Sequence, residues 1–277
     1  MRVLVTGGAG FIGSHFVRRL VAGGDEVIVL DKLTYSGNLA NLEGVDCDFR
    51  RGDICDPEAV AEAASDCEAI VNFAAETHVD RSILGAHEFI ETDVRGTYVL
   101  LEQARATGAR MVQVSTDEVY GDIPFPNRAR EDDPLRPSSP YAASKAGGDL
   151  QVLAAVRTYG VDASITRGAN TYGPNQYPEK VVPLFVTNAL DGLPLPVYGD
   201  GRQVREWLHV DDHCAAIELV LRRGVAGEIY NIGGEPVENI ELTRRIVELT
   251  GCDPDLVRHV ADRPGHDRRY AVDDGKV

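Results

Sequence analysis

Residues 2–31 open with Arg2-Val-Leu-Val-Thr6, continue with Gly7-Gly-Ala-Gly10-Phe-Ile-Gly13, and close with Glu26-Val-Ile-Val-Leu-Asp31. The two apolar runs predict buried strands, and the segment between the glycines and Ala22 predicts a helix. Glycines at this turn let the backbone approach a pyrophosphate at the amino end of the helix, where unpaired N–H groups attract anions. The stretch therefore predicts a dinucleotide-binding strand-helix-strand unit.

An acidic residue at the end of the second strand indicates which dinucleotide is bound. Asp31 stands eighteen residues after Gly13, where a carboxylate binds the hydroxyls of the adenosine ribose. A carboxylate there repels a 2′-phosphate, so the sequence favours NAD over NADP. The alternative is that Asp31 is an ordinary solvated acid at a strand end.

The rest of the chain alternates between strand and helix patterns, which is typical of a doubly wound parallel sheet. We predict an α/β protein of the Rossmann fold with a smaller carboxyl-terminal substrate domain. The NAD-binding domain spans residues 1–167 and a mainly nucleotide-sugar-binding domain spans 168–277, with the return of some later segments to the first domain left open. The predicted strands lie near 2–6, 26–31, 69–74, 110–115 and 162–166, and the predicted helices near 11–22, 57–65, 87–107 and 141–159.

Composition narrows the class of protein. The 277 residues are 43% hydrophobic and contain no apolar run long enough to cross a bilayer. The first apolar residues belong to the strand-helix unit itself, so we expect no signal peptide and a cytoplasmic location. A net charge of −16 argues against nucleic acid as a partner, although a nucleotide diphosphate needs only a few local cations. The five cysteines are scattered without metal-ligand spacing, so we expect free thiols and no metal.

Two further motifs predict chemistry beyond cofactor binding. Thr116, Asp117 and Glu118 follow the apolar run 110–115, so they leave the carboxyl end of a strand, where open α/β sheets bind ligands. Tyr141 and Lys145 are four residues apart in a predicted helix and share one face of it. A lysine ammonium and a positive nicotinamide ring would lower the pKa of the phenol and make it a base. The plainer readings are an acidic turn and a surface Tyr-Lys pair.

With these motifs the chain resembles the extended short-chain dehydrogenase/reductase family over essentially its whole length. Within that family it is similar to the dTDP-glucose 4,6-dehydratases, and the Thr-Asp-Glu triplet is the specific part, because related epimerases usually lack the Asp-Glu pair. The motifs that carry the resemblance are Gly7 to Gly13, Asp31 to Thr34, Gly52 to Ile54, Phe73 to Ser82, Ser115 to Tyr120, Tyr141 to Lys145, Pro178 to Lys180, Arg205 to Trp207 and Asp262 to His266.

The resemblance implies a reaction in three steps. Tyr141 takes the proton from the sugar 4-hydroxyl while C4 passes its hydride to NAD, with Thr116 holding that oxygen and Lys145 holding the tyrosine and the nicotinamide ribose. Glu118 then removes the C5 proton as Asp117 protonates the departing 6-hydroxyl. The hydride finally returns to C6 and C5 is reprotonated, which leaves a 4-keto-6-deoxy sugar. Adjacent acids in one low-dielectric pocket are pushed toward one protonated and one ionised form, as this requires.

The resemblance also implies which residues bind the two ligands. The expected NAD contacts are Gly7, Gly10, Phe11, Ile12, Gly13, Asp31, Lys32, Thr34, Asp53, Ile54, Phe73, Ala74, Ala75, Thr77, Thr92, Tyr141, Lys145 and Thr171. The expected nucleotide-sugar contacts are His78, Thr116, Asn170, Lys180, Val181, Pro196, Tyr198, Arg205, Asn239, Arg263 and His266. Arginines support this best, since a guanidinium can bind a phosphate with two parallel hydrogen bonds.

The chain departs from the family pattern at a few positions. Thr171 and Asp93 each stand where an asparagine is usual, and Gly168-Ala169 replaces a Cys-Ser pair. Relatives also continue for several dozen residues beyond the position of Val277. At position 171 the cofactor contact that the resemblance implies would have to come from a threonine hydroxyl instead of an asparagine amide.

Several alternatives stay open at this point. A sugar-nucleotide 4-epimerase or decarboxylase shares the first oxidation without dehydration, and a non-catalytic nucleotide-binding regulator shares only the fold. No motif distinguishes thymidine, cytidine and uridine as the nucleobase. The helices near 87–107 and 141–159 carry apolar residues on more than one face, so we expect a homodimer built on them.

Overall fold

The computed structural model describes residues 1–277 and contains twelve strands and nine α-helices. The strands are β1 (Arg2–Thr6), β2 (Glu26–Asp31), β3 (Asp48–Arg51), β4 (Ala69–Asn72), β5 (Arg110–Thr116), β6 (Ala163–Gly168), β7 (Asn170–Tyr172), β8 (Leu195–Tyr198), β9 (Val204–His209), β10 (Ile229–Ile232), β11 (Glu235–Glu238) and β12 (Val257–Val260). The helices are α1 (Phe11–Ala22), α2 (Pro57–Ala64), α3 (Val79–Leu84), α4 (His87–Ile90), α5 (Thr97–Thr107), α6 (Pro140–Tyr159), α7 (Val181–Leu190), α8 (Val210–Arg223) and α9 (Asn239–Thr250).

Seven of the strands form one fully parallel sheet in the order β3-β2-β1-β4-β5-β6-β10. The strand order reverses between β1 and β4, and a doubly wound sheet opens a crevice at such a point, beyond the carboxyl ends of the strands. The predicted Rossmann fold is thus confirmed, and its topology determines where a ligand can enter.

Both faces of this sheet are covered because alternate residues of a strand point to opposite sides. On β1, Val3 and Val5 pack into the layer that contains α1 and α8, whereas Leu4 packs into the layer that contains α2, α5 and α6. All three side chains are fully buried. The sheet is therefore packed with apolar side chains on both faces.

The second half of the chain builds a smaller unit beside the carboxyl edge of the sheet. Strands β7, β9 and β11 form a three-stranded sheet, and β8 pairs with β12. Helices α7 and α9 share an apolar cluster with β8, which includes Phe185, Leu195 and Ile246. Two segments return to the large sheet, because β10 pairs with β6 and α8 packs against α1.

The sequence reading missed two strands of the large sheet. One is β3, whose sequence Asp-Phe-Arg-Arg at the sheet edge has no buried residue and so no apolar run. The other is β10, which is only four residues long and follows the stretch rich in proline. Conversely, β4 ends at Asn72, two residues before the predicted end.

The helix predicted near 87–107 is interrupted by a π-helical turn, which is wider in radius than an α-helical turn. Helix α4 leads into a π-helical segment, Glu91–Gly96, which leads into α5. Helix α6 packs closely here, since a Cβ atom on Gly148 would lie 2.6 Å from the Asp93 carbonyl oxygen. The wider turn places Thr92 and Asp93 against the amino-terminal half of α6, and π-helical turns of this kind frequently occur at functional sites.

None of the helices combines the length with the apolar composition that crossing a membrane requires.

Candidate active site

A cavity of about 720 Å³ lies beyond the carboxyl ends of β1, β4 and β5, between the large sheet and the smaller unit. Every residue that the sequence predicts for catalysis, cofactor binding or substrate binding lines it. The residues from the large sheet and those from the second half of the chain therefore face one another across a single space. Their individual roles stay predictions.

The turn between β1 and α1 leaves no room for side chains at two of its glycines. Gly7 has a φ of +67°, and a Cβ atom there would lie 2.6 Å from the Ala74 amide nitrogen. At Gly13 a Cβ atom would lie 2.3 Å from the Gly7 carbonyl oxygen. Helix α1 also begins without a side-chain cap. The first-turn N–H groups are thus free to bind an anion in the cavity.

Asp31 is held in place by the backbone at the end of β2. Its two carboxylate oxygens accept hydrogen bonds from the amides of Ala9 (3.0 Å) and Leu33 (2.8 Å). Burial raises the pKa of this carboxyl, while the two amides act in the opposite direction. Each oxygen keeps a second lone pair for a hydroxyl donor, which fits a ribose diol.

Two other features of this half of the cavity fit a dinucleotide. The Thr92 hydroxyl is buried without a hydrogen-bond partner, which is unusual unless a ligand or water satisfies it. Lys32 lies 3.4 Å from the Asp53 carboxylate on the neighbouring loop. The donors and acceptors present therefore suit an adenosine ribose, a pyrophosphate and a further polar group.

The turn after β5 presents the Thr-Asp-Glu triplet. Thr116 caps a short 3₁₀ turn, Asp117–Tyr120, by accepting a hydrogen bond from the Glu118 amide at 3.2 Å. The same hydroxyl lies 3.2 Å from the Asp117 carboxylate. This cap fixes both acids at the strand end, in the position that the sequence predicts.

The two acids of this turn differ in their surroundings. Asp117 is 2% exposed, and its Oδ2 atom has no hydrogen-bond partner, whereas Glu118 is partly exposed to the cavity. Burial, followed by the charge of Glu118, raises the pKa of Asp117 well above its usual range, and Arg205 opposes this only in part. Asp117 is therefore suited to act as an acid, as the sequence argument requires of one member of the pair.

Helix α6 carries Tyr141 and Lys145 into the cavity. Ser139 caps the helix by accepting the Ala142 amide at 3.1 Å, and Pro140 occupies its first turn. The two side chains share a face as expected, and both are buried. The Lys145 ammonium donates to the Val114 carbonyl on β5 at 2.9 Å, which ties the helix to the strand.

The expectation that Lys145 lowers the pKa of Tyr141 is not met by the protein alone. Burial, followed by the negative charges of Glu118 and Asp93, raises the pKa of the Tyr141 phenol well above its usual value. The Lys145 ammonium is engaged by the Val114 carbonyl. Tyr141 needs a further positive charge nearby before it can act as a base.

Three cationic side chains from the second half of the chain line the same cavity as Tyr141 and the two acids Asp117 and Glu118. Lys180, whose pKa is lowered by burial, donates to the Thr77 carbonyl at 2.5 Å. Arg205 is 5% exposed and donates to the Asp267 carbonyl at 2.9 Å. Arg263 donates to the Asp80 carboxylate at 3.2 Å and keeps a buried Nε–H without a partner. Three cationic side chains therefore lie on one wall of the cavity in an otherwise acidic protein.

The two predicted histidines have structural partners as well. His78 caps α3 through its Nδ1 atom, and its Nε2 atom lies 3.6 Å from the Glu179 carboxylate. His266 lies 2.6 Å from the Asp262 carboxylate, although burial lowers its pKa. Both side chains still border the cavity, so these contacts hold the rings at its wall.

Several residues that the sequence reading missed support this site. The Tyr270 hydroxyl lies 3.3 Å from the Glu118 carboxylate and 2.8 Å from the Asp267 carboxylate, and the Arg205 guanidinium lies 4.1 Å above its ring. Glu179 accepts a hydrogen bond from Tyr35 at 2.9 Å, which links the two halves of the chain across the cavity. No spacing rule identifies these partners, because they meet only after folding.

Thr171, at the position where the family usually has asparagine, has its own partners. Its hydroxyl lies 3.2 Å from the Ala169 carbonyl and 2.8 Å from Nδ1 of His213. Burial lowers the pKa of His213 to about 4, so this ring is neutral. Thr171 therefore borders the cavity with a hydroxyl that is already engaged.

Comparison with known proteins places the chain among its relatives. Residues 3–233 match the NAD dependent epimerase/dehydratase family. A dTDP-glucose 4,6-dehydratase of Streptomyces niveus is 54% identical over 100% of this chain and 86% of that protein.

Solved structures agree with this placement. The structure of DesIV, a dTDP-glucose 4,6-dehydratase from Streptomyces venezuelae with NAD bound, has a TM-score of 0.97 and 58% identity, covering 100% of this chain and 89% of that one. A UDP-glucose 4-epimerase of Thermus thermophilus in complex with NAD has a TM-score of 0.93 and 38% identity, covering 100% and 91%. The chain belongs to the NAD dependent epimerase/dehydratase family and, within it, to the dTDP-glucose 4,6-dehydratases.

Proposed function

We propose that this protein converts dTDP-glucose into dTDP-4-keto-6-deoxyglucose with NAD as a cofactor that is not consumed overall. The observation that carries the proposal is the pairing of a buried acid, Asp117, with a cavity-facing carboxylate, Glu118, in the space that also holds Tyr141 and Lys145. An oxidoreductase needs only Tyr141 and Lys145. A dehydration also requires an acid and a base, which Asp117 and Glu118 supply.

The NAD site is supported by the fit of the residues present. Asp31 would hold the adenosine ribose, the first turn of α1 the pyrophosphate, and Thr92 and Lys145 the remaining polar groups. When bound, NAD accepts a hydride from C4 of the sugar and returns one at C6, and its positive ring favours the phenolate of Tyr141. That positive charge is what the phenol lacks in the protein alone.

Tyr141 is the base in the first proton transfer. Its phenolate takes the proton of the sugar 4-hydroxyl, while the Thr116 hydroxyl holds the same oxygen. Lys145 keeps α6 in register with β5 through the Val114 carbonyl, and its charge stabilises the phenolate. The resulting 4-ketone makes the hydrogen on C5 acidic.

Elimination then uses the two acids of the 3₁₀ turn. Glu118 removes the C5 proton, and the Tyr270 hydroxyl, 3.3 Å from its carboxylate, holds it in position. Asp117 donates a proton to the departing 6-hydroxyl, which leaves as water. Burial and the charge of Glu118 raise the pKa of Asp117, which favours the protonated form from which it donates. Once the hydride has returned to C6, C5 is reprotonated, which gives the 4-keto-6-deoxy sugar.

The nucleotide portion is proposed to lie along the wall formed by the second half of the chain. Arg205 and Arg263 would bind the diphosphate, together with Lys180. The unpartnered Nε–H of Arg263 supports this, because a buried guanidinium donor is satisfied best by an anionic oxygen. Val181, Pro196, Tyr198 and Asn239 border the space for the nucleoside.

The second candidate is a 4-epimerase, which the 38% identical relative favours. An epimerase returns the hydride to C4 and loses no water, so product mass distinguishes the two. We expect the purified protein with dTDP-glucose to give a product lighter by one water, and dTDP-galactose of unchanged mass would contradict the proposal. Parallel reactions with UDP-glucose and CDP-glucose identify the nucleobase, and we expect the fastest turnover with dTDP-glucose.

Three further features are proposed rather than established. Residues 1–167 would bind mainly NAD and residues 168–277 mainly the nucleotide sugar, in a cytoplasmic enzyme. A homodimer is supported by apolar side chains on the helices 87–107 and 141–159, since Ile90, Tyr98 and Leu150 are each more than half exposed. Sedimentation that shows only monomer at micromolar concentration would contradict the dimer.

A further inference from the structure

Asp93 is a buried carboxyl group that the reaction described above does not use. It lies in the π-helical turn, Glu91–Gly96, and is 1% exposed. The turn is pressed against α6, because the Asp93 carbonyl lies beside Gly148 and accepts a hydrogen bond from the Thr97 hydroxyl at 2.7 Å. Its side chain therefore cannot turn away to solvent.

The carboxyl is joined directly to the helix that carries the proposed base. The Ser144 hydroxyl lies 2.6 Å from Asp93 Oδ2 and 2.8 Å from the Tyr141 carbonyl. Ser144 has one hydrogen to donate. An ionised Asp93 takes that hydrogen, whereas a protonated Asp93 can donate its own to Ser144, which then donates to the carbonyl. The contact accommodates both forms of the acid.

The charged groups around this carboxyl come from several elements. Lys145 on α6 attracts its negative charge, and Glu76, in the segment after β4, repels it. Tyr141 faces the same carboxyl, and it also faces Glu118 and Asp117 from the turn after β5. An ionised Asp93 therefore adds its negative charge to that of Glu118 in the surroundings of the phenol.

We propose that Asp93 is a positioning residue, acting through Tyr141 and Lys145, whose charge determines the pH range over which Tyr141 can accept a proton. The effect on the rate of oxidation at C4 rests on the proposed function, in which Tyr141 is the base. The titration of Asp93 itself can be measured without substrate.

The direction of the effect follows from the charges. Burial raises the pKa of Asp93 from 3.8 to about 6, with Lys145 and Ser144 acting in the opposite direction. Below that pH the acid is neutral, and above it the carboxylate opposes ionisation of Tyr141. Removing the charge should therefore move proton acceptance by Tyr141 to lower pH, by about one unit, as one neighbouring charge commonly does.

The variant Asp93→Asn keeps the shape and removes the charge. Single-turnover formation of NADH from dTDP-glucose, measured from pH 5 to 9, reports oxidation at C4. We expect the acid limb of this profile to lie about one pH unit lower in Asp93→Asn than in the wild type. Glu91→Gln is the matched control, since Glu91 lies in the same turn with an exposed partner, Arg95, and should leave the profile unchanged.

Urea unfolding across the same pH range tests the titration without any substrate. The folded-state pKa of Asp93 lies above the unfolded one, so the stabilisation associated with its protonated form is complete below pH 4 and is lost as pH rises through about 6. The folding equilibrium constant of Asp93→Asn relative to wild type should rise about a hundredfold between these limits.

The two measurements separate the possible failures. A wild-type protein that forms no NADH from dTDP-glucose contradicts the proposed function, while a pH-dependent stability difference still supports the buried, titrating carboxyl. Identical pH-rate profiles for wild type and Asp93→Asn would overturn the inference with the proposed function intact. A stability difference that does not change with pH would also overturn it.

Discussion

Replacing Glu118 by glutamine should separate the two halves of the proposed reaction. The amide keeps the size of the side chain and an oxygen that can accept from Tyr270, but it cannot remove a proton from C5. Loss of one general base typically slows its step by ~10²–10⁴-fold, which is about 3–5 kcal/mol at 1.36 kcal/mol per factor of ten. A modest structural defect would not reach this size.

The oxidation at C4 should respond differently. Burial is the largest cause that raises the pKa of Tyr141, and the negative charge of Glu118 is the next largest. Its removal should therefore make the phenol easier to ionise, so that hydride transfer from C4 is retained or becomes faster. The variant should accumulate NADH and the 4-keto sugar, because the next step is blocked.

A single-turnover reaction in deuterated water measures both effects. NADH absorbance follows the oxidation, and deuterium at C5 follows proton removal. We expect a stable NADH signal and no deuterium at C5 in Glu118→Gln. Normal formation of the 4-keto-6-deoxy product by this variant would refute the assignment of Glu118 as the base.

The remaining predictions concern the acid, the cofactor turn and the buried ion pair. Asp117→Asn should still exchange the C5 hydrogen with solvent while water loss slows by ~10²–10⁴-fold; equal rates of water loss in mutant and wild type would contradict the role of Asp117. Gly13→Ala should weaken NAD binding by at least about tenfold in calorimetry, because the new Cβ atom would lie 2.3 Å from the Gly7 carbonyl oxygen, and unchanged affinity would mean that the turn relaxes freely. Asp149→Asn should lower the free energy of unfolding by ~3–5 kcal/mol, since it leaves the Arg167 guanidinium, 1% exposed and 2.9 Å from the carboxylate, without its counter-ion; a loss below about 1 kcal/mol in urea titration would contradict this.

Local sequence was sufficient for the elements that carry a strong pattern. The bounds predicted for β1, β2 and α1 agree with the structure because apolar periodicity and a glycine turn define each of them. Strand β3 has no such pattern, and it is stable only because β2 offers a free edge. The return of β10 to the large sheet is likewise decided by pairing with β6, whose partner residues lie 64 positions earlier in the chain.

In the candidate site, too, residues that are close in sequence were predicted, and residues that meet only after folding were missed. Motifs whose members are close in sequence, such as Thr116 to Glu118 and Tyr141 with Lys145, were found because local geometry brings them together. Tyr270 was missed because it meets Glu118 only through the fold of residues between them, 152 positions apart. The pKa of Tyr141 was expected to fall because sequence shows the adjacent lysine, but it does not show the burial of the phenol or the nearby carboxylates of Glu118 and Asp93.

The central claim is that one active site oxidises C4, removes water across C5 and C6, and returns the same hydrogen to C6. The most direct measurement uses dTDP-glucose carrying deuterium at C4, incubated with the purified protein and NAD in ordinary water. We predict a 4-keto-6-deoxy product in which the deuterium is found at C6 of the same molecule. Recovery of the label at C4 of a sugar that has lost no water would contradict the account and identify an epimerase instead.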